Sequence, residues 1–163
     1  MTEKGVTPLS KRHIFGAAAL ASAVAASGAF AAGDPVAAVK ADLAKLQADV
    51  ASARATIVPD AQKLAADAAA AKGSTRAQAR AAIKPDLLQL GNDVLAARTT
   101  LKADRVQLRA DLAAAKGVNG ARKELKPVIK STRTAIKADR TAIKNAVKQA
   151  RQAVKDLRAS FNK

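Results

Sequence analysis

Apolar residues recur every three or four positions in three long stretches between residues 36 and 161. This spacing places apolar side chains along one narrow face of an α-helix, as in a coiled coil. We call this face the apolar seam of each helix. Its predicted members are Val36, Val39, Leu43, Leu46, Val50, Ala53 and Ile57, then Ile83, Leu87, Leu90, Val94, Ala97 and Leu101, then Leu125, Ile129, Thr132, Ile136, Ile143, Val147, Ala150, Val154, Leu157 and Phe161. The pattern predicts helices at about residues 36–72, 75–116 and 121–161.

Glycines separate the three predicted helices. Gly73 and Gly117 stand where C-terminal caps belong, and Ser74 or Thr75 can cap the start of the next helix. Short turns of this kind connect antiparallel neighbours. The sequence therefore predicts an all-α fold, an elongated antiparallel, up-down-up three-helix bundle that resembles a coiled coil.

The helical units are related to one another by an internal repeat. Residues Lys40–Gly73 align without a gap with Lys84–Gly117 at an offset of 44. A repeat of this length indicates helical units that stack side by side. Pro59 and Pro85 lie inside the predicted helices and should kink or briefly break them. The counterpart of Pro59 in the second copy is Ala103, so the repeat itself does not require a break.

The charges on either side of the second turn, residues 117–120, form a mirror. Residues whose numbers sum to 237 carry opposite charges: Asp111 and Lys126, Asp104 and Arg133, Arg98 and Asp139, Asp93 and Lys144, Asp86 and Arg151. A less complete mirror around the first turn has sums of 147: Asp67 and Arg80, Arg54 and Asp93, Asp49 and Arg98, Asp42 and Arg105. Flanking ion pairs of this kind fix the register of packed helices. We expect these pairs to join the second helix to the third and the first to the second.

Residues 1–31 have the features of an export signal peptide. Lys4, Lys11 and Arg12 precede an apolar run from Ile14 to about Phe30, and residues 29–31 form an Ala-Phe-Ala cleavage site. The apolar run is short and rich in Ala, which favours cleavage over a membrane anchor. We therefore predict an exported protein that is periplasmic, on the cell surface or secreted, with residues 32–163 as a single helical domain.

The composition restricts the chemistry that this domain can perform. The full chain of 163 residues has a formal net charge of +16 and a sequence pI of about 10.7, which favours anionic partners. Cysteine is absent, and His13 in the predicted signal is the one histidine, so the usual bases and nucleophiles of enzymes are missing. No two acidic residues lie three or four positions apart, and no glycine-rich phosphate loop is present. We expect no enzymatic activity, no cofactor and no metal site.

The strongest sequence signal for binding is a row of ten basic residues in the third helix. We call it the cationic stripe: Lys126, Lys130, Arg133, Lys137, Arg140, Lys144, Lys148, Arg151, Lys155 and Arg158. Residues 118–163 carry a net charge of +10, against +4 for residues 32–117. Six members of the stripe have no acidic mirror partner, and we predict that they bind a polyanion: Lys130, Lys137, Arg140, Lys148, Lys155 and Arg158.

Three classes of function fit this sequence. The first is an exported binding or structural protein whose stripe binds acidic glycan, lipopolysaccharide or extracellular DNA without sequence specificity, since no aromatic side chain lies among the cations. The second is a periplasmic holdase-type chaperone, which it resembles in being small, basic and helical. The third is an amphipathic lipid-surface protein that binds anionic membranes, because the 44-residue period and the prolines loosely resemble apolipoprotein helices. The thin core also makes self-association possible.

Overall fold

The computed structural model describes residues 34–162 and contains three α-helices joined by two short turns. They are α1 (Pro35–Ala70), α2 (Arg76–Ala115) and α3 (Ala121–Ser160). No strand occurs among these residues, so the prediction of an all-α three-helix bundle is confirmed. The predicted signal at residues 1–31 lies outside the described residues.

Local hydrogen bonds fix the starts of α1 and α2. The Asp34 carboxylate accepts the backbone N–H of Val36 at 2.9 Å, with Pro35 at the first helical position. Thr75 and Gln78 form a reciprocal capping box, as expected for Thr75. Each cap satisfies backbone donors that have no partner within the helix.

One of the two predicted glycine caps is wrong. Gly73 has a φ of +89°, in the left-handed region that favours glycine, as predicted. In the second turn the glycine with positive φ is Gly120, at +82°, and not Gly117. The chain reverses immediately before α3 because Gly120 is the N-cap of that helix, whereas α2 ends in a tight turn in which the Val118 N–H donates to Ala115 O at 3.1 Å.

The two prolines do not break their helices. Helical structure continues through Pro59 in α1 and through Pro85 in α2. A proline inside a helix costs about 3 kcal/mol because it removes a hydrogen bond and crowds the preceding turn. Ile57 and Ala61, on either side of Pro59, are 3% and 0% exposed. Their packing holds the helix together across the missing hydrogen bond.

The core of the bundle is built on α1. Its predicted seam is buried at nearly every position, and Val39, Val50 and Leu64 are among the most completely buried side chains of the described residues. Both α2 and α3 pack along the full seam of α1, through one cluster near each end. The seam of α2 is less regular, since Leu87 is 40% exposed.

The second and third helices are not packed neighbours, which contradicts the predicted mirror register. The α2 and α3 backbones come within 8 Å of each other at almost no point, whereas α1 approaches both closely along its length. Leu64 of α1 and Ile83 of α2, whose numbers also sum to 147, share one buried cluster. The α1–α2 interface is therefore packed at this apolar pair, and the interface between α2 and α3 is open.

Candidate functional site

Every ion pair among residues 34–162 takes its cation from α1. Lys63 Nζ lies 2.6 Å from Asp86 and 2.8 Å from Asp67. Lys45 binds Asp49 at 2.6 Å and also binds Asp104. The other pairs are Arg54 with Asp139 at 2.9 Å and Lys40 with Glu124 at 2.8 Å. Four α1 cations therefore hold acids from all three helices.

The predicted charge pairs of both mirrors are consequently absent from the described residues. Asp86 binds Lys63 instead of Arg151, Asp104 binds Lys45 instead of Arg133, and Asp139 binds Arg54 instead of Arg98. The remaining α2 acids, Asp93 and Asp111, accept hydrogen bonds from Gln89 and Gln107 of their own helix. Because these acids face α1, the cations of α3 that were predicted to meet them have no acidic partner.

Sequence reasoning missed two carboxylate clusters between α1 and α2. The pattern Asp-x-x-(Lys/Gln)-Leu-x-x-Asp occurs four times, starting at Asp42, Asp60, Asp86 and Asp104. Lysine stands at the fourth position in the two α1 copies and glutamine in the two α2 copies. The antiparallel packing places one copy from each helix together, so each cluster holds four aspartates and one lysine. This repeated motif is the signal that could have revealed them.

Carboxyl groups in these clusters face one another at close range. Burial, together with the facing carboxyl group of Asp111, raises the pKa of Asp42 to about 6. Burial and the facing Asp93 likewise raise the pKa of Asp60 to about 6. One buried carboxylate oxygen has no hydrogen-bond partner in each of Asp42, Asp60, Asp86 and Asp104. A proton held between facing carboxyl groups would satisfy the oxygens of Asp42 and Asp60 below about pH 6.

The arrangement of these clusters is structural. Burial raises the pKa of Asp104, while the hydrogen bond from Lys45 opposes that effect. The hydrogen bonds that Lys63 donates to Asp67 and Asp86 raise its pKa, so it stays protonated. No three carboxylates of residues 34–162 are placed so that they could hold a metal ion. The clusters instead tie α2 to α1.

The ten residues of the cationic stripe are all exposed, and within the described structure none of them forms an ion pair. Their one acidic neighbour at the start of α3, Glu124, binds Lys40 of α1. Their charges therefore act on solvent and on any partner that approaches this face of α3.

The stripe borders a groove between α2 and α3, which we call the trough. Three adjoining cavities of about 800, 530 and 590 Å³ form it, starting at the turn between the two helices. The first two share Arg133, and the last two share Arg140 and Lys144, so the three cavities follow one another along α3; the second is lined by α3 residues alone. A further cavity of about 790 Å³ lies between the beginning of α2 and the end of α3.

The trough has an apolar floor and a cationic rim. In its middle, α1 supplies Val50 and Ile57, α2 supplies Leu101, and α3 supplies Ile143 and Val147. Arg98 of α2 faces the stripe across the groove. No aspartate or glutamate lines any of these four cavities. A ligand in the trough therefore meets apolar carbon below and positive charge on both sides.

Five of the six residues predicted to bind polyanions line this one groove. Lys130 lines the turn end, Lys137 and Arg140 line the next part, and Lys148 and Lys155 line the middle. The sixth, Arg158, lines the further cavity between the beginning of α2 and the end of α3. Four further members of the stripe, which the mirror assigned to ion pairs, line the trough beside them: Lys126, Arg133, Lys144 and Arg151.

None of the three helices contains a stretch apolar enough to cross a membrane. No family model, no curated protein and no solved structure matches this chain, so its function is inferred from these surfaces themselves.

Proposed function

We propose that this chain is an exported, basic, helical binding protein that holds polyanions along the trough through the cationic stripe. One observation carries the proposal. The acids of α2 and α3 pair with α1 or lie away from the groove, which leaves ten exposed cations beside a surface that contains no carboxylate. Unneutralised cations lie along about 48 Å of helix, a length suited to a linear polymer of negative charge.

The physics of such binding is electrostatic. Each phosphate, sulfate or carboxylate that meets a lysine or arginine releases condensed counterions, so affinity falls steeply with salt. The trough has no Trp or Tyr for base stacking, since the chain contains neither. The partners are acidic glycan, lipopolysaccharide or extracellular DNA, recognised by charge and shape and not by sequence.

Export of the protein is part of the same proposal. The basic start, the apolar run and the Ala-Phe-Ala site within residues 1–31 support it. N-terminal sequencing of the protein from its host should begin near Ala32. Soluble cytosolic protein that still begins at Met1 would contradict export.

The trough can be tested with a variant that removes four cations, Lys130→Gln, Lys137→Gln, Lys148→Gln and Lys155→Gln. Titration with heparin or duplex DNA should show at least tenfold weaker binding. The slope of log K against log salt should fall by up to about 3.6 for DNA, at about 0.9 per lost phosphate contact. These side chains are exposed, so the melting temperature should change little.

A charge-matched control separates the trough from net charge alone. Four exposed cations lie outside the lining of the trough: Lys102, Arg105, Arg109 and Lys123. Changing all four to Gln lowers the net charge equally but should leave most of the affinity intact. Equal losses in the two variants would mean that no particular face binds the polyanion.

A holdase-type chaperone is the second candidate, favoured by the apolar floor of the trough. Holding of unfolded clients through that floor should persist in high salt, whereas polyanion binding should not. A lipid-surface protein is the third, and it should gain helicity on anionic vesicles. An assay of client aggregation at low and high salt separates the first two directly.

A further inference from the structure

The packing of the three helices is that of a four-helix bundle with one corner empty. In such a bundle each helix packs against two neighbours and not against the helix diagonally opposite. Here α1 packs against α2 and α3, while α2 and α3 stay apart along their length. We place them at diagonal corners, because residues of all three helices line one cavity between them. The trough is the position that a fourth helix would fill.

We infer that the trough receives an acidic amphipathic helix of a partner protein, which completes a four-helix bundle. This rests on the proposed function, in that the same cations bind the partner, and it specifies the partner's chemistry. A flexible polyanion would use the rim alone. A helix with one apolar face and acidic flanks would use both the rim and the floor.

The trough can accommodate a helical occupant because some of the apolar residues that line it, unlike the buried Val50 and Ile57, are only partly covered. Leu101 of α2 and Ile136 of α3 line the trough and are half-buried, and neither belongs to the buried clusters on α1. Ile129 and Leu112 are similarly half-buried near the turn. These side chains repeat along the groove at helical spacing, as the knobs of a fourth helix require.

Charge determines which helix fits. Each cation of the stripe except Arg140 follows a seam position of α3 by one residue, which is a flanking position of a packed helix. Arg98 in the middle, and Arg76, Arg80 and Lys84 at the far end, supply the same charge from α2. A helix lying between these walls meets cations on both sides, so its flanks must carry Glu or Asp.

Segments of this chain do not offer that complement. Residues 1–33 contain Lys4, Lys11 and Arg12 against a single acid, Glu3. In a second copy, the acids of α2 that are buried face α1, while α3 presents the same cationic stripe. Like charges would then meet across the groove. The occupant is therefore a different protein.

The probe for this inference is a synthetic helix of about 30 residues with Leu at seam positions and Glu at the flanking positions. A peptide of identical composition but scrambled order carries the same charge without an apolar face. The designed peptide should bind the protein with one-to-one stoichiometry and gain helicity, as measured by circular dichroism. It should also bind at least tenfold more tightly than the scrambled peptide.

Two pairs of variants locate the site. Leu101→Gln with Ile136→Gln should weaken designed-peptide binding at least tenfold and leave heparin binding unchanged. Leu88→Gln with Leu95→Gln is the control, because these side chains are 58% and 64% exposed and do not line the trough. The control variant should bind the peptide normally. Thermal melts confirm that both variants remain folded.

The outcomes distinguish this inference from the proposed function. Equal binding of designed and scrambled peptides, with intact heparin binding, overturns the fourth helix and leaves the polyanion site. If the unmodified protein binds neither heparin nor the designed peptide, both the polyanion site and the fourth helix are overturned. Binding to anionic lipid vesicles without binding to the designed peptide identifies a membrane surface as the occupant and also overturns the inference.

Discussion

The interface between α1 and α2 and the trough between α2 and α3 have similar apolar seams and opposite charges. The first is flanked by eight aspartates and two lysines of the repeated motif. The second is lined by lysines and arginines without a carboxylate. A protein with a net charge of +16 has thus gathered most of its acids into one interface. The difference shows that the high net charge is concentrated where it remains available for binding.

Two lysines explain why α2 packs on α1 and not on α3. Lys45 and Lys63 occupy the fourth position of the motif in α1, where α2 has Gln89 and Gln107. Each lysine bridges an aspartate of its own helix and an aspartate of α2. The Asp86 and Asp104 side chains are only 11% and 6% exposed, so each needs a nearby cation. An α3 helix without this motif offers no equivalent.

The largest expected effect comes from removing those two lysines. Lys45→Met with Lys63→Met leaves four aspartates in each cluster without a cation. Because a nearly buried carboxylate without a cation is costly, we expect a clear loss of unfolding free energy at neutral pH, larger than for any other variant proposed here. Urea denaturation measures it.

The matched control for this variant changes two lysines of the trough. Lys144→Met with Lys148→Met changes two lysines that line the trough and have no ion pair in the described structure. It should leave stability within about 0.5 kcal/mol of the parent, as for most surface substitutions. If the two double variants were equally destabilised, the lysines of α1 would have no special role.

A smaller effect should appear as pH is lowered. The pKa values of Asp42 and Asp60 are raised to about 6 from 3.8, so the folded state binds more protons than the unfolded state between about pH 4 and 6. Their contribution to stability is complete below about pH 3.8 and is lost as pH rises through about 6. We expect the melting temperature to be higher at pH 5 than at pH 7.5, by on the order of 5 °C.

The opposite trend should return in stronger acid. A hydrogen bond from Lys63 lowers the pKa of Asp67, and one from Gln107 lowers the pKa of Asp111. The stability that these groups contribute is lost as pH falls through their lowered pKa values, below about 4. Asp42→Asn with Asp60→Asn should flatten the profile between pH 5 and 7.5. A parent protein whose melting temperature falls between pH 7.5 and 5 would contradict the raised pKa values.

The sequence allowed the helices to be predicted but not their arrangement. Apolar spacing identifies the face of α1 that is buried, from Val36 to Ile57, because one periodicity determines one helix face. It cannot distinguish between two candidate neighbours with complementary charges. Asp86 could meet Arg151 of α3 or Lys63 of α1, and the mirror rule selected the former. The structure has the latter, because Lys63 also binds Asp67 and so serves two carboxylates.

The number of unpaired stripe residues in the groove depends on the same question, namely which helix pairs with the acids of α2. Sequence spacing showed that Lys130, Lys137 and Lys148 share a face of α3, since they repeat at helical intervals. It could not show that Arg133, Lys144 and Arg151 also lack acidic partners, because that depends on which helix receives the acids of α2. To predict the trough itself, one would need the distance between α2 and α3, which no local sequence pattern encodes.

The smallest effect tests the choice of neighbours directly. A double-mutant cycle on Asp93 and Lys144, with Asp93→Asn and Lys144→Gln, should give a coupling energy near zero. Asp93 faces Asp60 across the α1–α2 interface, whereas Lys144 lines the trough. A parallel cycle on Lys63 and Asp86, which are 2.6 Å apart, should give a measurable favourable coupling, limited by the exposure of the lysine. Coupling between residues 93 and 144 that equals or exceeds the coupling between residues 63 and 86 would restore the mirror register and close the trough, since both residues would then have to lie between α2 and α3.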